Sequence, residues 1–128
     1  MYTPLGMGKK VRKELQDPEV FEEALREEIS VSSEFMLPIS VLAPRVGGGW
    51  RVEATRQALD ALRTADLVCQ PESDETLVGL PNTETDDARV VEERLRKAVP
   101  GAIVGVAPFT RGDTVESLIK RARLSGGS

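Results

Sequence analysis

The stretch from Leu62 to Thr83 limits most strongly what this chain can fold into: Leu-Arg-Thr-Ala-Asp-Leu-Val-Cys-Gln-Pro-Glu-Ser-Asp-Glu-Thr-Leu-Val-Gly-Leu-Pro-Asn-Thr. Two apolar runs, Leu67-Val68-Cys69 and Leu77-Val78-Gly79-Leu80, flank a polar knot of Pro71, Glu72, Ser73 and Asp74. Proline fixes φ, and serine and aspartate bond their own backbone, so the knot reads as a turn. Two such runs joined by it predict a β-hairpin. Helical patterns precede and follow, which places the hairpin at the centre of an α+β domain.

The rest of the chain fills in around it. Asp17-Pro18 opens a first helix as N-cap and N1, with Phe21, Leu25 and Ile29 as its core stripe. Ser30 to Glu34 read as a polar linker, and residues 35–43 as a mostly buried strand with Pro38 near its start. Pro44-Arg45-Val46 and Gly47-Gly48-Gly49 follow. The triple glycine reads either as a phosphate cradle at a helix N-terminus or as a short flexible connection. Val52, Leu59 and Leu62 give a second helix its apolar face. Thr85 is the expected cap of a third helix, whose stripe is Ala88, Val91, Leu95 and Ala98, and Pro100-Gly101 stops it. Residues 102–107 form another buried strand. Asp113 is the expected cap of a last helix, with Glu116 completing a capping-box-like pair. The division is a lead-in over 1–16, one domain over 17–124 and a flexible tail over 125–128.

Composition narrows the partners. A net charge of −4 gives no overall pull on nucleic acid or anionic lipid. No apolar run approaches the ~18 residues of a membrane span, and the N-terminus lacks the order of a signal peptide, so a cytoplasmic location is expected. With no histidine, imidazole chemistry is excluded. The single Cys69 reads as a core thiol. The basic run of Lys9, Lys10, Arg12 and Lys13 reads as a solvated helix face or as a contact to an acidic partner or phosphate.

The order of motifs resembles GGDEF domains, the diguanylate cyclase family. Arg63, Asp66, Leu67 and Val68 match the family's approach to its signature hairpin, Asp74 and Glu75 match its Asp-Glu, and Leu80, Pro81 and Thr83 match its exit. Val20 to Glu28 resemble the first family helix, Glu92 to Arg96 a later one, and Ala102 to Ala107 the family's Val-Ser-Ile-Gly-Val-Ala. The signature is altered: Glu72 and Ser73 stand where the two glycines belong, and Thr76 replaces the Phe. Of the family's final helix pattern, whose basic residue contacts phosphate, only Ala122 is matched.

The resemblance implies a ferredoxin-like sandwich of the nucleotidyl cyclase type. Its antiparallel sheet uses 35–43, 67–71, 75–80 and 102–107, with helices mainly on one face. It also implies chemistry that this chain has lost. Family cyclases end the first strand with metal-binding Asp residues, where this chain has Pro44-Arg45-Val46 and no carboxylate between Glu34 and Glu53. The guanine-recognition segment is missing. Glu72 adds bulk and negative charge where phosphate should approach closely. Asp74 and Glu75 are then expected as a solvated hairpin tip.

The expectation is a catalytically inactive GGDEF-like regulatory or interaction module of bacterial signalling, with no catalytic residues, no metal site and no cofactor. One family site is formally present. Arg63-Thr64-Ala65-Asp66 has the spacing of the inhibitory Arg-x-x-Asp site for cyclic di-GMP, and Arg94 is the nearest match for its secondary arginine. A guanidinium can fork onto a guanine edge or phosphate; equally, Asp66 can cap the strand entry and Arg63 can be solvated. The alternatives are therefore a cyclic di-GMP receptor, a cyclase with rebuilt metal ligands, or an unrelated ferredoxin-like module. A protein partner and a second copy of the chain are further candidate partners.

Overall fold

The computed structural model describes residues 13–126. Among the described residues there are four helices and four strands. They are α1 (Pro18–Phe35), β1 (Ile39–Arg45), α2 (Val52–Asp60), β2 (Leu67–Glu72), β3 (Glu75–Pro81), α3 (Thr85–Ala98), β4 (Ile103–Pro108) and α4 (Val115–Ser125). The strands form one sheet in the order β2-β3-β1-β4, and every neighbouring pair is antiparallel. The predicted hairpin is β2-β3, closed at Glu72 opposite Glu75.

The helices do not crowd one face. Ile39, Val41, Ala43, Cys69, Leu77 and Ala107 pack with Phe21 and Leu25 of α1 and with Leu118, Ile119 and Ala122 of α4. The intervening Leu42, Val68, Val78, Leu80 and Val104 pack with Ala58 and Leu59 of α2 and with Ala88, Val91 and Leu95 of α3. Successive strand side chains point to opposite faces. Near-continuous apolar strands therefore need cover on both sides, and each face receives two helices. The expected one-sided arrangement is corrected accordingly.

The first connection also differs from expectation. Residues 30–34 are helical, and Phe35 ends α1 instead of opening a strand. Ser32 lies on the buried side of α1, where its hydroxyl donates to the Leu37 carbonyl. A small polar residue thus continues the core stripe, which is why the pattern seemed to break. Met36 then takes the left-handed conformation (φ 57) and ends the helix, its amide donating to the Ser32 carbonyl. The strand begins only beyond Pro38, at Ile39.

Two caps sit one residue from the expected ones. Glu84, not Thr85, is the N-cap of α3. Thr114 caps α4, and Ser117 completes its capping box. Asp113 instead accepts from the Thr110 amide at 2.9 Å and the Ser117 hydroxyl at 2.7 Å, and pairs with Arg121. Burial pushes the Asp113 carboxyl up, but these hydrogen bonds together hold it below the usual range.

The helix α4 lies directly on β4. A Cβ on Gly105 would fall 1.9 Å from the Ala122 carbonyl oxygen. The Ser125 hydroxyl both accepts from the Val106 amide at 2.6 Å and donates to its carbonyl at 2.8 Å, so the backbone groups of Val106 on that edge of the sheet are paired. Ser125 is therefore helical and not part of the tail. Residues 1–8, Lys9, Lys10, Arg12, Gly127 and Ser128 lie outside the described residues. No described helix is long and apolar enough to cross a membrane.

Candidate functional site

The far end of β1 and the hairpin tip come together. Arg45 is the register partner of Glu75. The Val46 amide donates to the Asp74 carbonyl at 3.0 Å, and the Trp50 amide to the Ser73 carbonyl at 2.8 Å. Gly48 (φ 86) and Gly49 (φ 101) supply the left-handed turn between these contacts. The Gly49 amide bonds the Val46 carbonyl at 3.0 Å. The segment from Val46 to Trp50 is thus a strap bonded across the hairpin tip, and three of its amides (Val46, Gly49 and Trp50) are already engaged.

The signature residues divide sharply. Glu72, Ser73 and Asp74 are exposed, whereas Glu75 and Thr76 are buried. The Thr76 hydroxyl accepts from Gln70 Nε2 at 3.1 Å, and the same Nε2 reaches Thr55 Oγ1 of α2 at 3.0 Å. At the position where the resembled signature has Phe, a polar chain ties the hairpin to α2.

Glu75 is not solvated. Its two oxygens receive Arg123 Nε at 2.6 Å and Nη2 at 2.9 Å. The glutamate side chain is 7% exposed and the arginine 45%. The hydrogen bonds to Glu75 raise the Arg123 pKa further. Sequence reasoning missed Arg123, although it is a basic residue immediately after the matched Ala122, the place of the family's phosphate-contacting base. Burial, then the charges of Glu22 and Glu75, push the neighbouring Cys69 thiol up to about 12, so it is a protonated core thiol. A divalent cation at Glu75 would have to displace a forked guanidinium and then sit beside it. Among the described residues, no three His, Cys, Asp or Glu side chains are grouped to hold a metal.

The Arg63-x-x-Asp66 pair is brought together, in a form the spacing did not reveal. Asp66 is buried. It accepts the Arg63 backbone amide at 2.7 Å, Arg63 Nε at 3.2 Å and Arg63 Nη2 at 2.9 Å. Arg63 Nη2 also donates to Thr83 Oγ1 at 2.8 Å. The carboxylate therefore closes a turn and holds the arginine. The arginine side chain stays 54% exposed, and its Nη1 makes no hydrogen bond among the described residues. Lys13 packs nearby, donating to the Thr64 carbonyl at 2.8 Å; burial lowers its pKa, opposed by the Asp66 charge. Arg94 is exposed on α3, with no hydrogen bond or ion pair to Arg63 or Asp66 among the described residues.

No family model and no curated protein matches this sequence. Solved structures do. Diguanylate cyclase SiaD from Pseudomonas aeruginosa, in complex with its activator SiaC, aligns with a TM-score of 0.80 at 26% identity. That alignment covers 88% of this chain and 54% of SiaD, so the chain spans about half of that protein. The GGDEF domain of PA1120 (YfiN or TpbB) from the same organism aligns at 0.77 and 20% identity, covering 88% of each chain. The GGDEF domain of DgcB from Caulobacter crescentus, in complex with c-di-GMP, aligns at 0.77 and 13% identity, covering 91% of each. The chain has the fold of a GGDEF domain.

Proposed function

We propose that this GGDEF-like domain is a non-catalytic module of cyclic di-GMP signalling, acting by contact with another protein. One observation carries the reading: Arg123 forks onto Glu75, the buried carboxylate of the hairpin. Metal-assisted attack on a nucleoside triphosphate needs carboxylates free to hold a cation beside the phosphates. Here Pro44 and Arg45 end the first strand, and Glu72 stands at the tip with its charge toward solvent. SiaD, with the same fold, is found in complex with a protein activator, which favours a protein partner. Incubation with GTP and Mg²⁺ or Mn²⁺ is expected to give no cyclic di-GMP. Turnover above a no-enzyme control, abolished by Glu75→Ala, would overturn the reading.

A second reading rests on Arg63. Its guanidinium is held by Asp66 and Thr83 while the side chain stays 54% exposed, an arrangement suited to a phosphate or a guanine edge. The DgcB domain is found in complex with c-di-GMP. In this reading Arg63 touches the ligand and buried Asp66 only positions it. Calorimetric titration with cyclic di-GMP is then expected to show binding weakened about tenfold to a hundredfold by Arg63→Ala, as for loss of a charge-assisted contact. Equal affinity of wild type and Arg63→Ala would remove this reading.

A further inference from the structure

A groove of about 780 Å³ opens at the end of the sheet opposite the hairpin tip, between the C-terminus of α1 and the N-terminus of α3. Its apolar lining includes Met36, Leu37, Ile39 and Phe109, and Glu84 and Asp86 lie on its rim. Among the described residues, Arg111 is the one cation lining it. Next to it, Phe35 is 63% exposed and Met36 87% exposed. Three consecutive large apolar residues at a helix end, left in water, are a feature that soluble domains normally avoid.

The backbone adds an independent signal. Among the described residues, the two non-glycine residues with positive φ are Met36 (φ 57) and Asn82 (φ 49). Met36 lines the groove, and Asn82 precedes its lining residue Thr83. Asparagine tolerates this conformation readily; in methionine it is disfavoured, and glycine is the usual residue at such a helix end. The turn is fixed on both sides: the Leu37 amide donates to the Ser32 carbonyl at 3.3 Å, and the Ser32 hydroxyl donates back to the Leu37 carbonyl. A strained position that holds an apolar side chain in solvent is the kind of local inconsistency expected at a functional surface.

We infer that this groove docks an amphipathic, basic segment of a partner protein, whose apolar side chains meet Met36, Leu37 and Phe109 and whose Lys or Arg side chains meet Glu84 and Asp86. The charge of the rim selects a basic segment over an acidic one, and methionine suits a surface that must adapt to its anchor. This rests on the interaction-module reading and names the surface and the partner chemistry.

The probe is a 14-residue peptide, with leucine at helical i, i+3, i+4 spacing and lysine elsewhere; its leucine–glutamate counterpart is the control. Fluorescence anisotropy is expected to show binding of the lysine peptide only. Met36→Asp, and separately the pair Glu84→Lys with Asp86→Lys, should each weaken it by about tenfold or more. Met36→Gly should raise Tm by a few degrees through relief of strain while weakening the peptide, a combination that a merely structural methionine would not give. Equal binding of both peptides, indifference to Met36→Asp, a lower Tm in Met36→Gly, or no binding at high micromolar peptide would each overturn the inference. GTP turnover would sink the non-catalytic reading and leave the groove result standing. Absent peptide binding without turnover would sink the groove alone.

Discussion

At Glu75 one side chain separates the chemistry that the hairpin suggests from the chemistry that its surroundings allow. A carboxylate 7% exposed and forked by Arg123 is a structural ion pair. Removing the guanidinium leaves the carboxylate buried with no partner. The arginine is 45% exposed, so water moderates the loss. Arg123→Ala is expected to cost roughly 1–3 kcal/mol in urea unfolding. Arg123→Ala combined with Glu75→Gln should cost less than Arg123→Ala alone, because the buried charge is then gone. Equal stability of wild type and Arg123→Ala would show that the pair contributes nothing. The Asp-Glu of the hairpin was legible in the sequence; its lock was not. Arg123 lies 48 positions away on an element whose facing direction only packing decides. Arg63 and Asp66 show the reverse: their spacing was legible, while the burial that turns Asp66 into a positioning residue depends on tertiary structure.

The secondary-structure elements were legible where periodicity was unbroken. The hairpin, β4 and the stripe of α3 follow directly from apolar spacing. The end of α1 did not, because Ser32 fills a core position with a hydroxyl bonded to Leu37, and hydropathy alone reads that as a break. The caps moved by one residue because Asp113 and Thr114 are both good caps and the Thr114–Ser117 pair forms the box. Gly105 lies directly beneath α4. Its place in a buried strand reads as a mere gap in the apolar run, yet a Cβ there would meet the Ala122 carbonyl oxygen at 1.9 Å. That oxygen is helix backbone, so α4 must move as a unit. Gly105→Ala is expected to cost roughly 1–3 kcal/mol and to loosen the Ser125 contacts with Val106. An unchanged denaturation midpoint would contradict the close packing of α4 on β4.

Over the whole molecule, the sheet separates two surfaces. At the hairpin end the glycine strap bonds Ser73 and Asp74 and Arg123 holds Glu75; the opposite end holds the open groove. The helices were expected mainly on one face; instead the pairs α1/α4 and α2/α3 cover both, because successive strand side chains point to opposite sides. The groove could not be read from the sequence, because it depends on where Met36 turns the chain. With Glu75 held by Arg123, the hairpin end is proposed not to accept a metal–triphosphate complex. Calorimetric titration with a non-hydrolysable GTP analogue and excess Mg²⁺ is the decisive measurement. No binding heat is expected up to high micromolar analogue, in wild type and in Glu75→Ala alike. Micromolar binding by wild type that disappears in Glu75→Ala would contradict it.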